Sequence, residues 1–142
     1  MFEFIYSDGG RRKYFPDDCD NDCVCRAIAN VSGYSYMTVY NTIKEACNQE
    51  TAKTRRSGVE TGVYNKTTKK VVKKLLGWDY INVSNQDITM NGLPRGKSLL
   101  VRLPGHMTCV VNRTIYDIGD PSENGSAKVV GYYMESEGET SK

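Results

Sequence analysis

The chain has 142 residues, 39% apolar and 25% charged, with a formal net charge of +2. That size and balance fit one soluble globular domain, and the small net charge gives no general argument for a nucleic-acid partner. No apolar run is long enough to span a membrane, and no basic region precedes an apolar stretch at the start, so neither a membrane segment nor a cleaved signal is expected. The five cysteines, an odd number with no signal peptide expected, suit reduced thiols in a cytoplasmic setting, and no Cys-x-x-Cys pair occurs among them.

In chain order, residues 1–20 read as an N-terminal arm followed by a loop. Phe2, Phe4 and Tyr6 alternate with polar positions, as in a short edge strand, and Gly9 and Gly10 end it. Asp17, Asp18, Asp20 and Asp22 make an acidic loop; a calcium site there would lack EF-hand spacing and its closing glutamate. A first helix is expected over about Asp22 to Ser32, capped by Asn21 or Asp22. Val24, Ala27, Ile28 and Val31 form its apolar face, and Gly33 stops it. A second helix runs from Ser35 to about Cys47, with Tyr36, Val39, Tyr40, Ile43 and Cys47 in a stripe. Residues 48–65 read as a long loop.

A third helix is expected over Thr67 to Leu76, ended by Gly77. Its basic positions, Lys66, Lys69, Lys70, Lys73 and Lys74, join Lys53, Arg55 and Arg56 in one cluster. A charged run on an amphipathic helix reads first as a solvated face; a patch for nucleic acid or an acidic partner is the minority reading. From Tyr80 the pattern is strand-like: Tyr80–Val83, Ser98–Leu103, His106–Val111, Thr114–Ile118 and Val129–Met134, with a polar, frayed tail from Glu135. Helices first and an antiparallel sheet second define an α+β chain, taken as a single domain over 1–142.

Three residues carry the chemistry. Cys23 opens a helix, where the positive end of the helix dipole favours thiolate over thiol. Cys25 falls about 200° around from it and reads as packing. His106, the chain's only histidine, is the sole candidate imidazole base. Two aspartates follow it. If Asn112 and Arg113 form a two-residue hairpin loop, His106 faces Gly119 and Asp117 lies diagonal to it on the same side, whereas Asp120 points away. Asp117 is therefore the preferred orienting acid and Asp120 the alternative. Taken singly, His106 reads as a polar strand-end residue and Cys23 as a small buried hydrophobe. Together they make a thiol-nucleophile layout. Zinc on Cys19, Cys23, Cys25 and His106 has a spacing uncommon for that metal; no metal or cofactor is expected.

The same residues carry a resemblance. Cysteine at a helix start, histidine opening a strand and an acid on the next strand resemble the papain-like cysteine peptidase fold, of which the bacteriocin-processing peptidases are one branch. A group of small phage and prophage proteins of unknown function is more similar still. The shared pattern lies in Asn21 to Ala29, Gly62-Val63 with Lys66-Thr67, Leu76-Gly77-Trp78, Pro94-Arg95-Gly96, Gly105-His106, Ile115-Tyr116-Asp117 and Val130-Gly131-Tyr132-Tyr133, nearly the whole chain. The resemblance implies a papain-like domain with helices packed on the sheet. It also implies a peptidase, deamidase or acyltransferase acting on a host protein or peptide in the host cytoplasm. Papain-like peptidases place an oxyanion-binding glutamine shortly before the cysteine, where this chain has Asp17. The Cys23 amide and the Asn21 side chain are the candidate replacements. The competing reading is an inactive papain-like module that binds a host protein.

Overall fold

The computed structural model describes residues 2–17, 19, 21–51 and 56–135. Asp18, Asp20, Lys53, Arg55 and the tail 136–142 lie outside the described residues. Three helices, α1 (Cys23–Ser32), α2 (Tyr36–Asn48) and α3 (Asn65–Leu76), precede most of a six-stranded sheet. Its strands are β1 (Glu3–Tyr6), β2 (Tyr80–Asn82), β3 (Ser98–Leu103), β4 (His106–Val111), β5 (Thr114–Asp117) and β6 (Gly131–Met134), in the order β1-β5-β4-β3-β6-β2. The protein is α+β as expected, with one correction. The sheet is mixed, because the N-terminal arm joins it as β1, parallel to β5; the remaining pairs are antiparallel. Periodicity identifies an edge strand but carries no information about its partner's direction, and a long-range parallel pair has no turn signature to give it away.

Local chemistry sets the element ends. Ser35 caps α2 by accepting from the Thr38 N–H at 3.1 Å. Gly33 and Gly77 end α1 and α3 at φ 79° and 76°, each donating its N–H to the carbonyl four residues back. Asn112 and Arg113 both take positive φ, the turn whose twist matches that of a tight hairpin. It places Val111 opposite Thr114 and Cys109 opposite Tyr116.

The central strands are buried on both faces. On one face Leu100, Met107, Cys109 and Tyr133 pack against Val24, Ile28, Val39, Ile43 and Val72 of the helices. On the other, Leu99, Val101, Leu103, Val110 and Ile115 are covered by Val83, Met90, Leu93 and Val129. This explains the unbroken apolar run Leu99-Leu100-Val101, in which neither side of the strand meets water. Helix α1 packs chiefly on β4 and also touches β3 and β5. The start of α1 and the start of β4 are thereby held together.

Gly9 sets how closely the arm approaches α1. It has φ 70°, and a Cβ there would meet the Arg26 carbonyl oxygen at 3.0 Å and the Ala29 Cβ at 3.2 Å. A side chain would add left-handed backbone strain to a steric push against α1. Gly9→Ala is expected to destabilise the protein by about 1–2 kcal/mol, measured as a lower urea midpoint at unchanged slope.

Candidate active site

Cys23 is the first residue of α1 and His106 the first of β4. Thiol and imidazole therefore meet where two elements begin, close enough that each shifts the other's ionisation. The His106 Nε2 lies 2.8 Å from Asp117 Oδ2, which leaves Nδ1 as the nitrogen for sulfur. Asp117 ends β5 and is buried. Its Oδ1 accepts from the Ile118 N–H at 2.7 Å. The sequence-derived set Cys23, His106 and Asp117 is thus brought together in one chain of contacts.

The electrostatics follow from that geometry. Burial opposes the thiolate at Cys23, yet its pKa is lowered. The His106 hydrogen bond and charge, the Met107 N–H and the Arg26 charge together outweigh the desolvation. The His106 pKa is raised to about 9, first by its bond to Asp117 and then by its bond to Cys23, against the opposing effect of burial. Burial likewise opposes ionisation of Asp117, but the bond from His106 holds its carboxyl below the usual carboxylate range. Each shift favours a thiolate beside an imidazolium backed by a carboxylate. The other buried thiols move the opposite way: burial raises Cys25, and Cys109 to about 12. Cys25 is fully buried, its Sγ 3.7 Å from the Tyr36 carbonyl oxygen, so it packs.

The alternative acid is elsewhere. Asp120 is exposed, and its Oδ1 accepts from the Ser122 N–H at 2.9 Å in a turn ahead of the last strand. Asn21, the suggested oxyanion donor, is exposed two residues before Cys23. Asp17 is 68% exposed and lies 3.4 Å from Arg11 Nη2. Of the basic cluster, Arg56, Lys66, Lys69, Lys70, Lys73 and Lys74 are exposed, the lysines on the outer side of α3. Lys73 pairs with Asp79 at 3.1 Å, and Lys69 lies over the Tyr80 ring. Among the described residues no group of three or more His, Cys, Asp or Glu is arranged to hold a metal ion. No helix among them is long and apolar enough to cross a membrane.

Beneath the site lies a buried polar network that sequence reasoning missed. Asp22, with no exposed surface, occupies the N-cap position of α1 but caps no amide with its side chain. Its carboxylate instead takes Arg26 Nη1 on one oxygen and, on the other, the Tyr36 hydroxyl at 2.6 Å and Arg11 Nη1 at 3.5 Å. Arg11 continues to Tyr36 at 2.9 Å and to Glu60 at 2.6 Å. Arg26 also donates to the Cys19 carbonyl at 3.2 Å, and its Nη2 lies 4.0 Å from Asp117 Oδ1. One guanidinium therefore spans Asp22, the residue before Cys23, and Asp117, the acid behind His106. The only sequence signal was two arginines, Arg11 and Arg26, at positions where a solvated residue would be unremarkable.

The fold and site together define an α+β domain with a Cys–His–Asp arrangement at the junction of a helix start and a sheet. Comparison with protein-family models, with curated proteins and with solved structures gives no match to this chain.

Removing Asp22 would leave two buried guanidiniums without their shared carboxylate. Asp22→Ala is expected to lose about 3–5 kcal/mol of stability, and Tyr36→Phe about 1–3 kcal/mol through the loss of its buried bonds to Asp22 and Arg11, both by denaturant titration.

Proposed function

We infer that the protein is a cysteine hydrolase of papain-like type, cleaving or transferring an acyl group from an amide or thioester of a protein or peptide. The observation that carries this reading is the contact chain from the Cys23 thiol through the His106 imidazole to the buried Asp117. A nucleophile, a base within reach and a group fixing the base's tautomer are what acyl transfer by a thiol requires. In the proposed reaction the Cys23 thiolate attacks the carbonyl carbon. A C–S bond forms, and the carbonyl electron pair moves onto oxygen. Collapse of that adduct expels the leaving nitrogen or sulfur, which takes the imidazolium proton, and a thioester remains on Cys23. Water, losing a proton to the now neutral His106, attacks the thioester. It releases the acid and restores the thiolate–imidazolium pair.

The developing oxyanion needs donors. The start of α1 supplies backbone amides that no side chain caps, because the Asp22 carboxylate is engaged below. The Cys23 amide is the first of these, with its helix behind it. The residue in the glutamine's place, Asp17, is turned to Arg11. That substitution is the specific observation favouring the second reading, a non-catalytic module that keeps the papain-like core and binds a host protein.

Labelling kinetics separate the two. Iodoacetamide should alkylate Cys23 with an apparent pKa below the ordinary thiol value near 8.5, faster than Cys19, as read by peptide mass mapping. His106→Ala should move that pKa up. Asp117→Asn should lower turnover of any substrate by about 10²–10⁴-fold. The sign of the pH dependence is fixed by the shifts. The lowered Cys23 pKa opens the reactive window from below, and loss of the His106 proton closes the imidazolium-dependent step near pH 9. Slow, equal labelling of Cys19 and Cys23, unchanged by His106→Ala, would sink the hydrolase reading in favour of the binding module.

A further inference from the structure

A cleft of about 700 Å³ is lined by His106 together with Leu103, Pro104, Asp120, Pro121 and Glu123. No residue of α1 lines it, so it opens on the histidine's side of the thiol–imidazole pair. We propose that this cleft binds the leaving-group side of a peptide substrate and selects a lysine or arginine side chain there. The proposal rests on the hydrolase reading above and adds the substrate class.

The placement follows from the chemistry. The imidazolium must deliver its proton to the leaving nitrogen, so that nitrogen lies within hydrogen-bond reach of His106. Chain following the scissile bond then runs on past the ring, into the cleft that His106 lines. The His106 side chain is 28% exposed, open enough for such an approach.

The charge preference follows from the lining. Leu103, Pro104 and Pro121 offer apolar surface for the stem of a long side chain, the part of lysine or arginine that packs well against such walls. Asp120 and Glu123 are exposed carboxylates on the same cleft. Lys128 also borders it, and its charge is met by Asp87 at 3.6 Å, with the Gln86 carbonyl oxygen at 3.3 Å. The imidazolium charge is answered by Asp117 and by the thiolate. The acidic wall is also built rather than loose. Gly125 and Ala127 both donate their N–H groups to the Ser122 carbonyl at 2.9 Å, and the Ser126 hydroxyl donates to the Glu123 carbonyl at 2.7 Å. Glu123 and Asn124 are held at φ 51° and 59°.

The test uses the full chain as Cys23→Ala, which cannot turn substrate over, and follows backbone amide NMR signals. The probes are three N-acetylated tetrapeptide amides identical except at the third residue, which is lysine, norleucine or glutamate. The lysine peptide should bind about three- to tenfold more tightly than norleucine at low salt, with glutamate weakest and with shifts at Leu103 and Ala127. Adding Asp120→Asn with Glu123→Gln, or Glu123→Gln alone as the milder exposed change, should erase or reduce that preference. Equal affinities for lysine and norleucine, a preference that survives both sets of variants, or no binding at millimolar peptide would overturn the proposal. Any of these leaves the hydrolase reading standing if Cys23 in the native sequence still shows its His106-dependent iodoacetamide reactivity. Loss of that reactivity removes the hydrolase reading by a separate measurement.

Discussion

The buried carboxylate of Asp22 is the constraint on which the rest of the site depends. It has no access to water and is held by Arg26, Tyr36 and Arg11. These partners come from α1 itself, from α2 and from the loop after β1, so three segments distant in sequence are tied at the residue before Cys23. A buried ion network of this kind contributes little net stability, because desolvating the charges offsets most of their attraction. Its effect is geometric. An apolar cluster would tolerate rotation of α1 about its axis, whereas hydrogen bonds to both Asp22 oxygens do not. The thiol is aimed because its neighbour is fixed.

Arg26 extends that constraint across the site. It reaches Asp22 on one side and approaches Asp117 at 4.0 Å on the other. A single buried cation thus faces two carboxylates, while Asp117 faces His106 and His106 faces the thiol. Alternating charges in a weakly screened environment reinforce one another. Burial alone would push the Cys23 thiol toward its neutral form, as it does Cys25 and Cys109. What separates Cys23 from those two is the imidazole within reach, with a carboxylate behind it.

Much of this was legible in the sequence because it rests on local signals. Gly33, Gly77 and Ser35 fix helix ends through backbone chemistry that needs no tertiary information. The Asn112-Arg113 loop set the register of β4 and β5, and register alone ranked Asp117 above Asp120. The parts that were not legible are those created by contacts distant in the chain. Asp22 has the right identity and position for a helix cap, and only the arrival of Arg11 and Tyr36 diverts its carboxylate. The parallel pairing of β1 with β5 joins the N-terminal arm to a strand far along the chain, with no turn between them to announce it. Arg11 and Arg26 look like surface residues until the carboxylates that bury them are in place.

The same diversion bears on the oxyanion donors that the proposed acyl transfer needs. A helix whose first amides are capped by its own N-cap side chain has fewer donors to offer an incoming anion. Here Asp22 is drawn downward into the arginine network, and the amides at the start of α1 keep their donors. Asp17 is likewise turned to Arg11 at 3.4 Å, which offsets a carboxylate that would otherwise oppose negative charge near the thiol. Arg11 therefore acts on the site twice, by helping hold Asp22 away from the helix start and by partnering Asp17. An oxyanion formed on Cys23 would depend on backbone donors and the helix dipole more than on a side-chain amide. That dependence places the electrostatic demand of the chemistry on the geometry of α1, the element that the Asp22 network fixes.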